Sequence, residues 1–592
     1  MILQRMLLPG DLPEMDARMA WRADGRLDGS RFYRGCRVRF DTYFNGFFAG
    51  AWLGMTQAKD ITLTLRFRGR LRIEIRAATL GTGQINERIL FLTEAEAQTP
   101  GEVEIPIATD ADAGLIYPVI EALSDEAEVY GGHYASQTAP VRDVRIAMNV
   151  CTYRREEYVY ANLAQLKGSI LENADDPLHG RLSVYLTDNG RTLDADTISG
   201  DGVHVFPNAN AGGSGGFARG MLEILQAQTP ATHVMICDDD IVLHPETLRR
   251  LYAFLSLIRP EYAGRTVAGA MFRMDQKHVM TERAGVWKGQ LAQPICEDFD
   301  MRDVRHVLIA GEATESDYNA WWCSVIPLDV IREKGLPLPL FIRFDDVEYG
   351  LRTGGNSLPL NGVCVWHEPF EHKHDIAMEY YHARNGQIVN ALHRPRMGAA
   401  RKMIKLARLF SMSLLRCRYD AAECVIEGAA DYLKGPDWLM RLDCAQKHAE
   451  LRARNTRFLP IQTLSYDITP EQIAAGRRPR AKWRRALAVF TLNGFFVRRN
   501  TPAVVPAYRN DLSAFWGRTT IINLTADGAQ YFISERDNKR ALRLIRRFAS
   551  LALRFLLQNG AVARAYRAAQ PEMTRAEFWR AYLGLPDQGS NL

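Results

Sequence analysis

The chain has 592 residues, 47% hydrophobic and 24% charged, with a formal net charge of +5. That length exceeds one ordinary domain and predicts about two to four. The composition excludes a disordered or collagen-like chain, and the lack of any run of about 18 uncharged apolar residues speaks against a membrane-spanning helix.

The opening stretch "MILQRMLLPGDLPEMDARMA" meets acids and prolines too soon for a signal peptide. The nine cysteines show no CxxC pair and no zinc-like spacing, so they read as reduced thiols of a cytoplasmic protein. Charge is unevenly spread. From Arg396 onward there are 34 Lys and Arg against 16 Asp and Glu, so an acidic body carries a basic tail. Such a tail suits an anionic partner, and nucleic acid and anionic lipid both meet that requirement.

Residues 1–145 read as β. "ITLTLRF" (Ile61–Phe67) and "RLRIEI" (Arg70–Ile75) alternate apolar and polar residues, and Arg68-Gly69 between them predicts a tight hairpin turn. "GCRVRFDTYF" (Gly35–Phe44) has the same period, and a small β-sandwich is expected. Across residues 146–395 the apolar runs "RIAMNVCTY", "LSVYLTDNG", "HVFPN", "HVMICDDD" and "TVAGAMF" are separated by helix-like segments such as Tyr158–Leu171, Gly215–Gln228 and Pro245–Ile258. That alternation predicts a mostly parallel sheet with helices on both faces, whose ligands sit beyond the carboxyl ends of the strands. Residues 396–592 are read as helical. "RKMIKLARLFSMSLLRCRY" and "RALRLIRRFASLALRFLLQ" place apolar residues at helical spacing with Arg and Lys between. They fit bundle helices with solvated faces; alternatively their cationic faces, with Arg477–Arg485, lie on anionic lipid.

Several segments could carry chemistry. If the strand Val234–Cys237 continues extended, Asp238 and Asp240 point to one side and Asp239 to the other. Two converging carboxylates at a sheet edge suit Mg²⁺ or Mn²⁺; an acidic turn capping the next helix is the plainer alternative. "NAGGSGGFARG" (Asn210–Gly220) predicts a glycine-rich loop entering a helix, a shape that admits an anion. It lacks the Lys of a P-loop, and Gly213-x-Gly215-x-x-Ala218 is only a loose dinucleotide fingerprint. Asp345 and Asp346 in "FIRFDDVEYGLR" could include a general base or could cap a helix. Trp321 and Trp322 could stack on a sugar or lie in the core. His367, at the end of "VCVW", could be a third metal ligand.

Taken in order, CTYRR, TDNG, GGSGGFARG, DDD, WWC, FIRFDD, WH and YHARN resemble the bacterial galactofuranosyltransferases that polymerise cell-wall galactan, and "FDTYFNGFFAGAW" is similar to a segment of their β-sandwich domain. The resemblance implies a GT-A catalytic core (a Rossmann-like mixed α/β sheet) with an N-terminal β-sandwich and a C-terminal helical domain. It implies an inverting enzyme using Mn²⁺ or Mg²⁺ held by Asp238, Asp240 and His367, with Asp346, beside Asp345, as base. Arg155, Asp188 and Asn189 would hold the uridine end of the donor and Arg219 its pyrophosphate, with Gly213, Gly215 and Asp239 among the donor-binding residues. His382, Arg384 and Asn385 would close over the phosphates, and Trp321 and Trp322 would line a sugar site. The implied partners are UDP-galactofuranose, a glycan or lipid-linked glycan acceptor, the anionic inner membrane face and further copies of the chain, with no nucleic acid. Two departures concern sugar identity. Arg154 and Glu156 stand where a smaller polar residue and a Pro are expected, and the segment from Asp346 to Trp366 is a few residues short. The rivals are a rhamnosyl- or glucosyltransferase, a dinucleotide-dependent oxidoreductase and a non-catalytic glycan-binding protein.

Overall fold

The computed structural model describes residues 1–11, 15–108, 110–369, 375–469, 471–472, 482–508, 511–525 and 527–586. Most of Arg477–Arg485 lies outside the described residues.

The N-terminal region is an antiparallel β structure built around one long strand, Ile61–Leu80. No hairpin turn interrupts it at Arg68-Gly69. The strand runs straight through, with a register shift between Phe67 and Gly69 where it pairs with Ile85–Ile107. Gly69 has φ +95° there, and a Cβ would meet the Glu126 carbonyl at 2.8 Å. This glycine makes a bulge, a shape the alternation of flanking residues cannot distinguish from a turn. Beyond the bulge the strand changes partner: its first half pairs with Glu126–Ser136 and its second with Leu115–Ala122.

The central sheet of the second region has the strand order Val203–Pro207, Leu182–Asp188, Ile146–Thr152, His233–Asp238, Ser324–Pro327, Val267–Arg273. The first four are parallel and Ser324–Pro327 is antiparallel to both its neighbours. Leu358–His367 pairs parallel with Val267–Arg273 and antiparallel with Ile241–Leu243. This mixed α/β sheet is the GT-A arrangement. Because the parallel strands end together, Thr152, Asp188 and Asp238 reach the same edge, and the register sets His367 opposite Ile241, next to Asp240.

The N-terminal region buttresses this edge from behind. Phe44 stacks on Trp366 with ring centroids 5.9 Å apart, and Tyr43 meets Phe272 edge-on at 5.1 Å. Arg250 is fully buried at the seam and donates to the carbonyls of Arg5 (2.9 Å) and Phe44 (2.7 Å), its charge met by Glu246 at 3.2 Å.

The glycine-rich segment is helix rather than loop: Gly212–Leu225 is one α-helix. Its glycines let it lie unusually close to the strand Ile146–Thr152. A Cβ on Gly216 would come within 2.1 Å of Cys151 Sγ, and one on Gly220 within 1.9 Å of Asn149 Oδ1. Gly220→Ala is therefore expected to destabilise the protein by about 1–3 kcal/mol through overpacking, read as a lowered denaturation midpoint.

The C-terminal region holds the helices Ala399–Leu415, Tyr419–Tyr432 and the long Asn538–Met573. It also holds a four-stranded sheet, Leu459–Pro460, Gln530–Glu535, Thr520–Leu524 and Ala503–Pro506, which the helical reading missed. Its strands are rich in β-branched and aromatic residues but too short to stand out against the long Arg-rich periodicity around them. Among the described residues no helix is long and apolar enough to cross a membrane. None of the nine cysteines is in a disulfide.

Candidate active site

Asp238, Asp240 and His367 each place a potential ligand atom within 4.8 Å of the others. His367 Nε2 lies 3.0 Å from Asp240 Oδ1, and both side chains are largely buried. The strand carrying the histidine is pinned by Trp366, whose Nε1 donates to the Lys277 carbonyl at 3.0 Å. Two carboxylates and one imidazole make a hard, oxygen-rich donor set, which fits Mn²⁺ or Mg²⁺ and lacks the thiolates of a structural zinc site. Asp239 is used differently. Its Oδ2 accepts from the Tyr153 backbone N–H at 3.1 Å, tying the triplet to the loop after the first strand. Burial pushes its carboxyl up, and Asp240 adds to that.

A cleft of about 750 Å³ opens over this edge, lined by Tyr153, Arg154, Arg155, Asn189, Gly213, Asp239 and Asp240 among others. Arg155 reaches Asp240 Oδ2 at 3.7 Å and is 44% exposed, free enough to meet a ligand.

The second acidic pair begins the helix Asp345–Thr353. Ser214 Oγ donates to Asp345 Oδ2 at 2.9 Å, joining the glycine-rich helix to the pair. Asp346 is pushed up to about 7, first by burial and then by Asp345, with Asp238 adding to the effect. Burial pushes Asp345 up as well. The buried Glu282 is also held well above the usual carboxylate range, by burial first and then by Asp346 and Glu297. Sequence reasoning does not find Ser214 or Glu282. Ser214 is hidden among its glycines, and Glu282 is a single acid with no motif around it.

The loop before this pair is strained: Phe341, Arg343 and Phe344 have φ of 73°, 67° and 65°. Such left-handed conformations in bulky residues persist only where the surroundings impose them. Asn385 does so by donating from Nδ2 toward the carbonyls of Leu340, Ile342 and Arg343 at 3.1, 2.9 and 2.8 Å. Arg384 donates to the Leu340 carbonyl at 2.7 Å and is sandwiched between Tyr380 and Tyr381. These two residues are fully buried, so they hold the loop and do not close over a ligand. Asn385→Ala is expected to lower kcat about tenfold to a hundredfold with donor KM little changed, because the acidic pair loses its placement. Steady-state kinetics would show the split.

Four further expectations are corrected. Arg219 faces away from the cleft: it pairs with Glu223 at 2.7 Å and lies over the Phe206 ring, since its place on the helix turns it toward the strand Val203–Pro207. Gly215 also faces elsewhere, with Trp579 and Leu583 as the nearest side chains beyond its own helix turn. Trp321 and Trp322 are both buried; Trp321 packs edge-on to Phe217 and Tyr349, leaving no open face for a sugar. Asp188 accepts from the N–H groups of Gly190, Thr192 and Leu193, which fixes the loop at the end of its strand. Asn189 lines the cleft but is fixed there, donating to the Gly212 carbonyl at 3.0 Å and accepting from Asn208 at 2.9 Å. His382 is half-buried, its ring stacked on Phe344 beside the strained loop. Of the loose dinucleotide fingerprint, Gly213 lines the cleft and Gly215 does not.

Comparison with known proteins agrees with this layout. Residues 144–378 match the family described as "Glycosyltransferase like family 2". Residues 3–136 match "Galactofuranosyltransferase 2 N-terminal". The chain is similar to galactofuranosyltransferase GlfT2 of Mycolicibacterium smegmatis, at 26% identity over 98% of this chain and 96% of that protein. It is 27% identical to galactofuranosyltransferase GlfT2 of Mycobacterium tuberculosis over 74% of each. Among solved structures, a mannosyltransferase from Pyrobaculum calidifontis, in complex with GDP-Man and Mn²⁺, covers 53% of this chain and 81% of its own. Its TM-score of 0.29 and 16% identity are too low to bear on the site. The two matched segments lie in the order and places the fold gives them: residues 144–378 form a glycosyltransferase domain of the family 2 type, and residues 3–136, ahead of it, match the N-terminal domain of the galactofuranosyltransferases.

Proposed function

We propose that the chain transfers galactofuranose from UDP-galactofuranose to a hydroxyl of a glycan acceptor, with inversion, and that it needs Mn²⁺ or Mg²⁺. The observation that carries this reading is the pairing of two distinct acidic centres beside one cleft. Asp238, Asp240 and His367 converge within 4.8 Å, while Asp346, its carboxyl raised, sits at the start of another helix. A carboxylate committed to a cation is a poor proton acceptor, so the two tasks need separate groups.

Asp238, Asp240 and His367 would hold a divalent cation, which would supply positive charge for the departing diphosphate. Arg155 adds a cation at the same edge. Asp346 accepts the acceptor hydroxyl proton as the oxygen attacks the anomeric carbon; the carbon–oxygen bond to the diphosphate breaks on the opposite face, which inverts the centre. Asp345, fixed by Ser214, raises the basicity of its neighbour by like-charge repulsion. The sugar in the relatives' name, galactofuranosyltransferase, supports galactofuranose as the group transferred.

The test offers the purified protein UDP-, dTDP- and GDP-sugars with Mn²⁺ or EDTA and measures nucleotide release. UDP release from UDP-galactofuranose, abolished by EDTA, is expected. Preferential release from a dTDP- or GDP-sugar would replace the donor, and glycan binding without release would replace catalysis.

The basic C-terminal region supports peripheral contact with anionic lipid at the inner membrane face. Around the helix Lys482–Phe490, Trp483, Phe490 and Phe496 are 63%, 88% and 95% exposed next to arginines. Co-sedimentation with liposomes is expected to rise with anionic lipid and to fall in high salt. Binding indifferent to both would point instead to contact with another copy of the chain.

A further inference from the structure

One wall of the cleft comes from outside the catalytic domain. The helix Cys444–Arg452 turns Ala445, His448, Ala449 and Arg452 toward it. Their spacing of three, four and seven residues is one helical stripe. The rest of the helix is tied down. Lys447 and, just past its end, Arg454 pair with Glu427, and Cys444 and Leu451 are buried. Asn455 caps the incoming chain by accepting from the Ile376 N–H at 2.9 Å. His448 is fixed as well, within hydrogen-bond distance of the Tyr381 hydroxyl at 3.3 Å and tilted against Phe341. Ala445 and Ala449 leave room in front of the wall.

Arg452 is the stripe's cation. It lines the cleft, is 59% exposed, and lies 3.6 Å from Asp375, so it is held by that contact without being buried. Arg154 and Arg155 line the same cleft together with Asp239 and Asp240. A nucleoside diphosphate drawn to a cation at the aspartates still carries negative charge, and a guanidinium suits phosphate oxygens through paired N–H groups. We propose that Arg452 binds the diphosphate of the donor, so that the C-terminal region completes the donor site. This rests on the nucleotide-sugar reading above.

The test measures binding of UDP and of uridine, both with Mn²⁺, to the full-length protein by calorimetry and competition. For Arg452→Ala, the Kd for UDP and the donor KM are expected to rise about tenfold, with kcat and uridine binding little changed. Arg452→Lys should recover part of the loss, and Glu450→Ala, exposed on the same helix, should leave UDP binding unchanged. An Arg452→Ala protein that binds UDP as tightly as wild type would overturn the proposal while leaving the donor reading intact. Equal losses for UDP and uridine would also overturn it, by exposing a structural defect. A wild-type protein that binds no UDP would refute the donor reading and this proposal with it.

Discussion

Asp346→Asn should lower kcat about a thousandfold while leaving UDP and Mn²⁺ binding close to wild type. The amide keeps the size of the side chain and its place at the helix start, but it cannot take a proton. A loss of kcat without a loss of binding is the mark of a group that acts only in the chemical step. The pH dependence gives a second readout. The Asp346 carboxyl is pushed up to about 7 by burial and by Asp345, so in wild type kcat should rise with pH through that region as the base loses its proton. Metal bound at Asp238 would move this limb toward lower pH, since a nearby cation favours the carboxylate.

Stability should respond in the opposite sense. A carboxyl whose folded-state pKa is raised favours the folded state most at low pH, below its unfolded value. That advantage is lost as pH rises through about 7. Asp346→Asn removes the charged form, so the metal-free variant should match or exceed wild-type stability at pH 8. Denaturant unfolding at pH 5 and pH 8 would show the larger gain at the higher pH. An active-site residue that costs stability for the sake of chemistry behaves in this way.

Asp240→Asn is expected to be as damaging, by another route. Asp240 Oδ1 lies 3.0 Å from His367 Nε2, and its other oxygen faces Arg155, so this carboxylate stands at the centre of the cluster. An amide leaves the metal one negative charge short. Turnover at limiting Mn²⁺ should fall roughly a thousandfold, with part recovered at high Mn²⁺ as affinity is overcome by concentration. UDP binding should weaken together with Mn²⁺ binding. Here the two variants part: Asp240→Asn loses ligand binding and turnover together, Asp346→Asn turnover alone.

The convergence of Asp238 and Asp240 was legible because a buried strand fixes the direction of the side chains just beyond its end. An apolar run that ends in three aspartates at a sheet edge leaves few options for the first and third of them. Asp346 was legible as an acid among aromatic neighbours, a setting that raises a pKa. The glycines were visible, but their purpose was not. Close approach of a helix to Asn149 and Cys151 asks for the same residues as close approach of a phosphate, and spacing alone cannot separate them. Arg384 and Asn385 show the same limit. They stand together in one motif, yet they act on the loop before Asp345 and Asp346, through backbone carbonyls about 40 positions earlier in the chain. Nothing local marks such a partner. The long strand through Gly69 was illegible for a different reason, since a bulge and a hairpin both call for glycine between alternating runs. The helix Cys444–Arg452 could not have been found from its own sequence, because its contribution depends on how the chain returns to the cleft.

The division of labour between the two acidic centres is tested most directly by titrating Mn²⁺, by electron paramagnetic resonance, into wild type, Asp240→Asn and Asp346→Asn in the presence of UDP. Wild type and Asp346→Asn should bind the ion alike, and Asp240→Asn should bind it far more weakly. Tight Mn²⁺ binding by Asp240→Asn, or its loss in Asp346→Asn, would contradict the assignment.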